Sequence, residues 1–167
     1  MANPKDEVYS SPMPSIEAFR FDQSVADVFQ DMIERSVPGY GLVLQLIGVL
    51  AEKYGQPGTR VYDLGCSLGA STLQLRRHLP DGCHVVGVDN SEAMVSRCTA
   101  NLSRDHSAAT YEILLEDLRE TNIENASIVI LNFTLQFVPD EERKNILARI
   151  CEGLNVGGIL LLAEKVK

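Results

Sequence analysis

Residues 60–69 read RVYDLGCSLG, a short strand-forming run that passes directly into a turn bounded by two glycines. The run at 60–64 predicts a strand, and the pattern at 68–79 predicts the helix that follows it. Gly65 and Gly69 would allow a tight turn and the close approach of a ligand to the backbone. The free N–H groups at the start of the helix would suit an anionic group. This order of strand, turn and helix predicts the first unit of an α/β fold.

The alternation of strand and helix patterns continues to the end of the sequence. Strands are predicted at 84–88, 110–115, 127–133 and 159–163, and helices at 91–102 and 140–154. The strands lack a strict alternation of apolar and polar residues, which is typical of a parallel sheet covered by helices on both faces. We expect right-handed crossovers between these strands.

Two helices are predicted ahead of the first strand. Apolar residues recur with helical spacing at 25–33, and a second, more apolar helix is predicted at 40–54. Residues 1–23 contain prolines and serines without a period and are predicted to form an extended arm. We therefore divide the chain into an N-terminal arm at 1–23 and one domain at 24–167, with a two-helix cap at 24–55 and a core at 58–167.

Composition and charge exclude several classes of function. The chain has 167 residues, of which 45% are apolar and 23% charged, as expected for one soluble globular domain. Lys and Arg number 15 against 23 Asp and Glu, so the net charge of -8 argues against direct binding of nucleic acid. No apolar stretch approaches the roughly 20 residues that span a bilayer, and we expect no secretory signal. We therefore expect a cytoplasmic protein that binds neither nucleic acid nor membrane.

The cysteines and histidines do not form a metal-binding pattern. Cys66, Cys83, Cys98 and Cys151 include no C-x-x-C pair, and no histidine lies at the spacing of a zinc ligand. We therefore expect no metal, and thiols that are buried or half-buried.

Acidic and amide side chains follow the second predicted strand, at Asp89 and Asn90. In open α/β sheets, ligands bind in the crevice beyond the carboxyl ends of the strands. Asp89 comes 26 positions after Asp63, which ends the first strand, and a carboxylate there suits the two hydroxyls of a ribose.

Polar residues also follow the third and fourth predicted strands. After the third strand, the acids of the stretch Glu116-Asp117-Leu118 would accept a hydrogen bond from an exocyclic amine, and the stretch would line an adenine pocket. After the fourth strand, Asn132 would present an amide to the same cleft. Together with the glycine turn, these polar residues place candidate ligand-binding groups at the ends of four strands.

Each of these residues also has a purely structural interpretation. Gly65 and Gly69 would be turn glycines, and Asp89 would cap the next helix. Asp117 would be a solvated loop acid, and Asn132 a buried amide bonded to the backbone. The joint occurrence of all of them favours one nucleotide-like ligand.

The motif D-x-G-x-x-x-G at 63–69, with an acid after the second strand, resembles class I S-adenosylmethionine-dependent methyltransferases. Longer strings resemble one family within that class, the carboxy-S-adenosyl-L-methionine synthases. These strings are RSVPGY at 35–40, VYDLGCSLGA at 61–70, VDNS at 88–91, ENAS at 124–127 and LNFTLQF at 131–137. The resemblance covers nearly the whole chain after the arm. It implies a Rossmann-like class I methyltransferase fold, of which the sequence to Lys167 would lack the C-terminal strands.

The resemblance implies a function that composition alone does not indicate. That family converts S-adenosyl-L-methionine and prephenate to carboxy-S-adenosyl-L-methionine and phenylpyruvate. A second enzyme, a tRNA carboxymethyltransferase, then uses the product to modify the wobble uridine of tRNA. The resemblance also implies a homodimer. Two alternatives stay open, an ordinary S-adenosylmethionine-dependent methyltransferase of a small molecule and a non-catalytic nucleotide-binding module.

The resemblance also assigns positions in the site. By that assignment, Gly65, Cys66 and Ser67 would hold the amino-acid end of S-adenosyl-L-methionine, Asp89 the ribose, Asn90 and Asp117 with Leu118 the adenine, and Asn132 the methionine portion. Tyr40 would close the pocket, although the sequence pattern alone favours a packing role for it.

The family binds the incoming carboxylate with an arginine that we expect beyond Lys167. No motif assigns this role to Arg20 or Arg35, so the catalytic residue stays unassigned. The chain to Lys167 is accordingly expected to bind S-adenosyl-L-methionine without converting prephenate.

Overall fold

The computed structural model describes residues 23–165, so the predicted arm lies outside the described residues except for Gln23. The helices are α1 (Gln23–Ser36), α2 (Tyr40–Tyr54), α3 (Ala70–His78), α4 (Glu92–Leu102) and α5 (Asp140–Gly153), with a 3₁₀ turn at Leu135–Phe137. The strands are β1 (Arg60–Leu64), β2 (His84–Asp89), β3 (Thr110–Leu115), β4 (Ala126–Asn132) and β5 (Leu154–Ala163). Within this part of the chain, no helix is both long enough and apolar enough to cross a bilayer.

The five strands form one parallel sheet in the order β3-β2-β1-β4-β5. The chain builds outward from β1 to β3 on one side and then returns to add β4 and β5 on the other side. The reversal of strand order therefore lies between β1 and β4. A crevice opens at such a switch point, beyond the carboxyl ends of the strands. The predicted parallel sheet is confirmed.

Helices cover both faces of this sheet, because successive strand residues point to opposite sides. On one face, Tyr62 and Leu64 of β1 belong to a buried apolar cluster that includes Ile146 and Ile150 of α5. On the other face, Val61 of β1 belongs to a second buried apolar cluster. That second cluster contains Ile47 and Ala51 of α2, Leu75 of α3, Val85 of β2, and Ile128 and Ile130 of β4. Helix α2 thus packs directly on the sheet.

Residues with a positive φ explain three differences between the predicted and the observed element boundaries. Helix α3 begins at Ala70, because Gly69 has a left-handed φ of +86°. Strand β4 ends at Asn132, because Phe133 has a φ of +59°. Strand β5 begins at Leu154 instead of residue 159, and its pairing with β4 shifts where Gly157 has a φ of +78°. Residues 155–158, between the predicted helix and the predicted strand, therefore form an irregular part of β5.

Arg76 joins α3 to the segment that leads into β3, and its side chain is only 5% exposed. The guanidinium donates to the carbonyl oxygens of Ala109 and Ser107 at 3.0 Å each. It also forms an ion pair of 3.0 Å with Asp105 and lies 4.3 Å from the ring centre of Tyr111. A buried charge with this many partners is costly to remove, since its partners lose their donors inside the protein.

We predict that Arg76→Ala lowers the free energy of unfolding by about 3 kcal/mol, measured by urea denaturation. Arg77→Ala is the matched control, because Arg77 pairs with the same Asp105 at 3.1 Å but is 51% exposed. Exposed ion pairs contribute about 0–1 kcal/mol, so the control should change little. Equal losses in the two variants would contradict the buried role of Arg76.

Candidate ligand-binding site

A cavity of about 1170 Å³ opens at the carboxyl ends of the strands. The nine predicted binding residues all line it: Tyr40, Gly65, Cys66, Ser67, Asp89, Asn90, Asp117, Leu118 and Asn132. The fold therefore brings together residues that come from five separate parts of the sequence. Their contact with a ligand stays a prediction.

The turn between β1 and α3 forms the floor of the cavity and is bonded to the end of β2. The backbone N–H groups of Gly65 and Cys66 both donate to the carbonyl oxygen of Val88, at 2.8 and 2.9 Å. Gly65 has a φ of +83°, and a Cβ atom added there would lie 2.5 Å from Oγ1 of Thr134. A side chain at position 65 would thus be strained and would collide with the loop after β4. Gly65 is therefore required by the backbone geometry of the turn, and it also lines the cavity.

Asp89 bonds the two neighbouring turns together. One carboxylate oxygen accepts the N–H of Ser67 at 2.9 Å, and the other accepts the N–H of Ser91 at 2.9 Å. The cap of α4 is Ser91, whose side chain accepts the N–H of Met94. Burial raises the pKa of the Asp89 carboxyl. A carboxylate has about four acceptor sites, so Asp89 retains capacity for two hydroxyl donors.

Asp63, the first acid of the motif, lies beneath the cavity and does not line it. Its side chain is buried, and one oxygen accepts a hydrogen bond of 2.6 Å from the hydroxyl of Thr72 in α3. Burial raises the pKa of Asp63 to about 6, and the charge of Asp89 acts in the same direction. Asp63 therefore joins β1 to α3 in the core.

The carboxylate of Asp117 is paired with an arginine that the sequence reasoning missed. Nε and Nη2 of Arg119 donate to the two oxygens of Asp117, at 2.9 and 2.6 Å. Nη1 of Arg119 donates to Glu142 of α5 at 3.0 Å. Asp117 is therefore an ion-paired acid, and the hydrogen bonds and charge of Arg119 lower its pKa. The Asp-x-Arg spacing after β3 was the signal that could have indicated this pair.

Asn132 has one hydrogen-bonded end and one unpartnered end. Its amide nitrogen donates to the hydroxyl of Ser71 at 3.0 Å. Its amide oxygen is buried and has no hydrogen-bond partner within residues 23–165. An unpartnered buried acceptor is costly, so this oxygen is suited to a donor that enters the cavity.

Tyr40 lies across the cavity, at the start of α2. Its ring centre is 6.3 Å from that of Phe133, in a tilted arrangement typical of packed aromatic pairs. Burial raises the pKa of Tyr40 to about 12, with Asp63 and Glu34 acting in the same direction. Tyr40 thus stays protonated and can donate a hydrogen bond.

Two positive side chains in the described part of the chain line the cavity, Arg119 and Lys165. Arg35 does not line it; it pairs with Asp31 at 3.2 Å and is 58% exposed. Arg20 lies outside the described residues. The positive side chains of the described wall are therefore residues to which the sequence analysis gave no role.

The four cysteines are free: Cys66, Cys83 and Cys98 are buried, and Cys151 is exposed. The expectation of buried or half-buried thiols is therefore wrong for Cys151, because its position on α5 faces solvent. No group of three or more potential metal ligands comes together among the residues that the structure describes.

Comparison with protein families defines the class of protein first. Residues 61–158 match the family described as a methyltransferase domain. These residues include the turn after β1 and the strand ends that line the cavity. A methyltransferase from Leishmania major, described as S-adenosylmethionine-dependent, superimposes with a TM-score of 0.67 over 87% of this chain and 56% of that chain, at 13% identity. The predicted Rossmann-like class I methyltransferase fold is confirmed.

The particular family follows from closer relatives. A protein of Vibrio cholerae named carboxy-S-adenosyl-L-methionine synthase is 51% identical over 164 residues, covering 98% of this chain and 67% of the relative. Its namesake in Aliivibrio salmonicida is 51% identical, covering 99% of this chain and 68% of the relative. The chain belongs to the carboxy-S-adenosyl-L-methionine synthase family, and it spans about two thirds of the length of these relatives. The predictions of an enzyme and of this family are confirmed.

The buried position of Asp63 predicts a pH dependence of stability. Its folded-state pKa of about 6 lies above the ordinary value of 3.8, so the folded protein binds this proton more tightly than the unfolded chain does. Stability from this group is therefore present below about pH 4 and is lost as the pH rises through 6. Relative to Asp63→Asn, the wild type should lose roughly 2–3 kcal/mol of unfolding free energy between pH 4 and pH 7. A difference in unfolding free energy between the wild type and Asp63→Asn that does not change with pH would contradict the raised pKa of Asp63.

Proposed function

We propose that this protein converts S-adenosyl-L-methionine and prephenate to carboxy-S-adenosyl-L-methionine and phenylpyruvate. The observation that carries the proposal is that all nine predicted binding residues line one cavity in a chain of this family. The sequence alone also left open an ordinary methyltransferase and a binding module, and the products formed from S-adenosyl-L-methionine and prephenate distinguish these from the proposal.

The unused hydrogen-bonding groups of the cavity fit S-adenosyl-L-methionine. The unpartnered oxygen of Asn132 would accept from the ammonium group of the methionine portion. The remaining acceptor sites of Asp89 would take the two ribose hydroxyls. Asn90 and Leu118 would lie beside the adenine. The backbone of Gly65 to Ser67 would approach the amino-acid end without a side chain at the first position.

Asp117 has a more restricted part than the resemblance implies. Its carboxylate already accepts hydrogen bonds from Arg119, so fewer of its acceptor sites remain for the adenine amine. We propose that the Asp117–Arg119 pair holds the loop after β3 against the adenine, and that Leu118 supplies the apolar contact.

The cavity is larger than one small ligand needs. Its volume of about 1170 Å³ exceeds the roughly 300–1,000 Å³ typical of sites for one drug-sized molecule. The volume therefore supports a site that holds two substrates together. Phe133, Thr134 and Phe137 line it next to Asn132, and they would form the part of the wall that faces the second substrate.

The reaction requires positioning more than acid–base groups. When bound, S-adenosyl-L-methionine supplies a sulfonium that makes its methyl group acidic. In the net change, a methyl C–H bond and the bond from prephenate to its ring carboxylate break, and a C–C bond forms. The ring hydroxyl leaves with the methyl proton as water, and the ring becomes aromatic. The protein's part is to hold the two molecules face to face and exclude solvent.

The proposal includes a cellular setting. We place the enzyme in the cytoplasm as a homodimer whose product passes to a tRNA carboxymethyltransferase. The net charge of -8 supports a protein that does not itself bind tRNA.

Helix α2 exposes a stripe of apolar side chains that supports the proposed homodimer. The stripe consists of Leu42, Leu46 and Val49, which are 60, 50 and 60% exposed. An exposed apolar stripe of this kind supports burial against a second copy.

The first experiment tests the ribose contact. Asp89→Asn keeps the shape of the side chain and removes its charge, so it should weaken binding of S-adenosyl-L-methionine at least about tenfold, measured by calorimetric titration. Glu120→Gln is the matched control, because Glu120 is exposed and lies outside the cavity wall.

A ribose analogue separates contact from loop structure, since Asp89 also bonds Ser67 and Ser91. Removing the 2′-hydroxyl from S-adenosylhomocysteine should weaken its binding to the wild type but change little in Asp89→Asn. The same loss in both proteins would show that Asp89 does not bind the ribose.

The second experiment tests the reaction. The protein expressed from its complete reading frame is incubated with S-adenosyl-L-methionine and prephenate, and products are followed by mass spectrometry. We expect carboxy-S-adenosyl-L-methionine and phenylpyruvate in equal amounts. Formation of S-adenosylhomocysteine with a methylated product would instead indicate an ordinary methyltransferase, and binding without any product would indicate a binding module.

A further inference from the structure

The cavity is electrically uneven along the sheet. Asp89 ends β2, and Glu116 and Asp117 follow β3, so these three acids lie toward one edge of the sheet, while Glu34 of α1 lines the cavity from the helical cap. Lys165 follows β5, the strand at the opposite edge. Neighbouring strands are about 4.8 Å apart, which puts the ends of β2 and β5 about 14 Å apart and those of β3 and β5 about 19 Å apart. The order of the strands therefore separates the acids at the ends of β2 and β3 from the lysine after β5.

The two positive side chains of the wall differ in how they are bonded. Arg119 is neutralised by Asp117 and Glu142, to which it donates through Nε, Nη1 and Nη2. Lys165 has no ion pair with any residue that the structure describes between 23 and 165. Lys165 is thus the available positive charge in the described wall.

The backbone beside Lys165 is held in place. The N–H of Phe133 donates to the carbonyl oxygen of Ala163 at 2.8 Å. The carboxylate of Glu164 accepts the N–H of Leu135 at 2.7 Å, so that acid is directed into the loop after β4. Lys165 follows directly and lies beside the segment that carries Asn132. Lys165 therefore lines the cavity next to the loop after β4, which we propose faces the second substrate.

We propose that Lys165 binds a carboxylate of the second substrate. The inference rests on the proposed function, in which that substrate is prephenate. Prephenate carries two carboxylates, and an acidic cavity would repel both unless each had a positive partner. The arginine that the resemblance places beyond Lys167 would bind one of them, and Lys165 would bind the other. A flexible ammonium group suits this role because it presents three donors to an anion.

The test uses the protein expressed from its complete reading frame. Lys165→Met, Lys165→Arg and the wild type are first titrated with S-adenosyl-L-methionine. For the second titration, each protein is loaded with S-adenosylhomocysteine, which lacks the reacting methyl group, and is then titrated with prephenate. We expect Lys165→Met to weaken prephenate binding about tenfold while the Kd for S-adenosyl-L-methionine changes less than twofold. Lys165→Arg should restore most of the loss. In turnover, the KM for prephenate should rise far more than kcat falls.

The matched control is Lys144→Met, which removes the same charge from an exposed position on α5 outside the cavity wall. Unchanged prephenate binding in Lys165→Met, or an equal loss in Lys144→Met, would overturn the proposal. Failure of the wild type to bind S-adenosyl-L-methionine would instead refute the proposed function, and the first titration detects that separately.

Discussion

The cavity depends on three consecutive backbone N–H groups that donate to the end of β2. Those of Gly65 and Cys66 donate to the carbonyl oxygen of Val88, and that of Ser67 donates to the carboxylate of Asp89. They direct the chain out of the central strand and into α3 within a few residues. Because backbone donors in a buried turn must be satisfied, the turn has little freedom to move. The floor of the site is therefore formed before any ligand binds.

Buried polar groups beneath that floor connect the site to the core. Asp63 accepts a hydrogen bond from the hydroxyl of Thr72. Burial raises the pKa of the Asp63 carboxyl, and the charge of the nearby Asp89 raises it further. The first acid of the motif thus stabilises the turn, while the second stays beside the cavity with unused acceptors. The same pattern of residues carries two physically different roles, one in packing and one facing the ligand.

The local chemistry of the sequence was sufficient to predict the type and order of the elements and the edge of the sheet at which the cavity opens. Strand and helix patterns, together with the glycine turn at 65–69, indicated a parallel sheet, and polar residues after each strand indicated where a ligand would bind. These inferences depend only on neighbours in sequence and on the rule that parallel strands end at one edge. The additional bond of Arg119 to Glu142 of α5 could not be derived in this way, since the two residues lie 23 positions apart in the sequence.

The sequence by itself determined the alternation of elements, the position of the turn and the residue types at the strand ends, because these follow from backbone preference and periodicity. Only the tertiary structure decided which strand ends become neighbours. The order β3-β2-β1-β4-β5 puts Lys165 at the opposite edge of the sheet from Glu116 and Asp117. Packing around the end of β4 leaves the buried oxygen of Asn132 without a partner among the described residues. Contacts between residues distant in sequence depend on packing of the whole sheet, which no local pattern encodes.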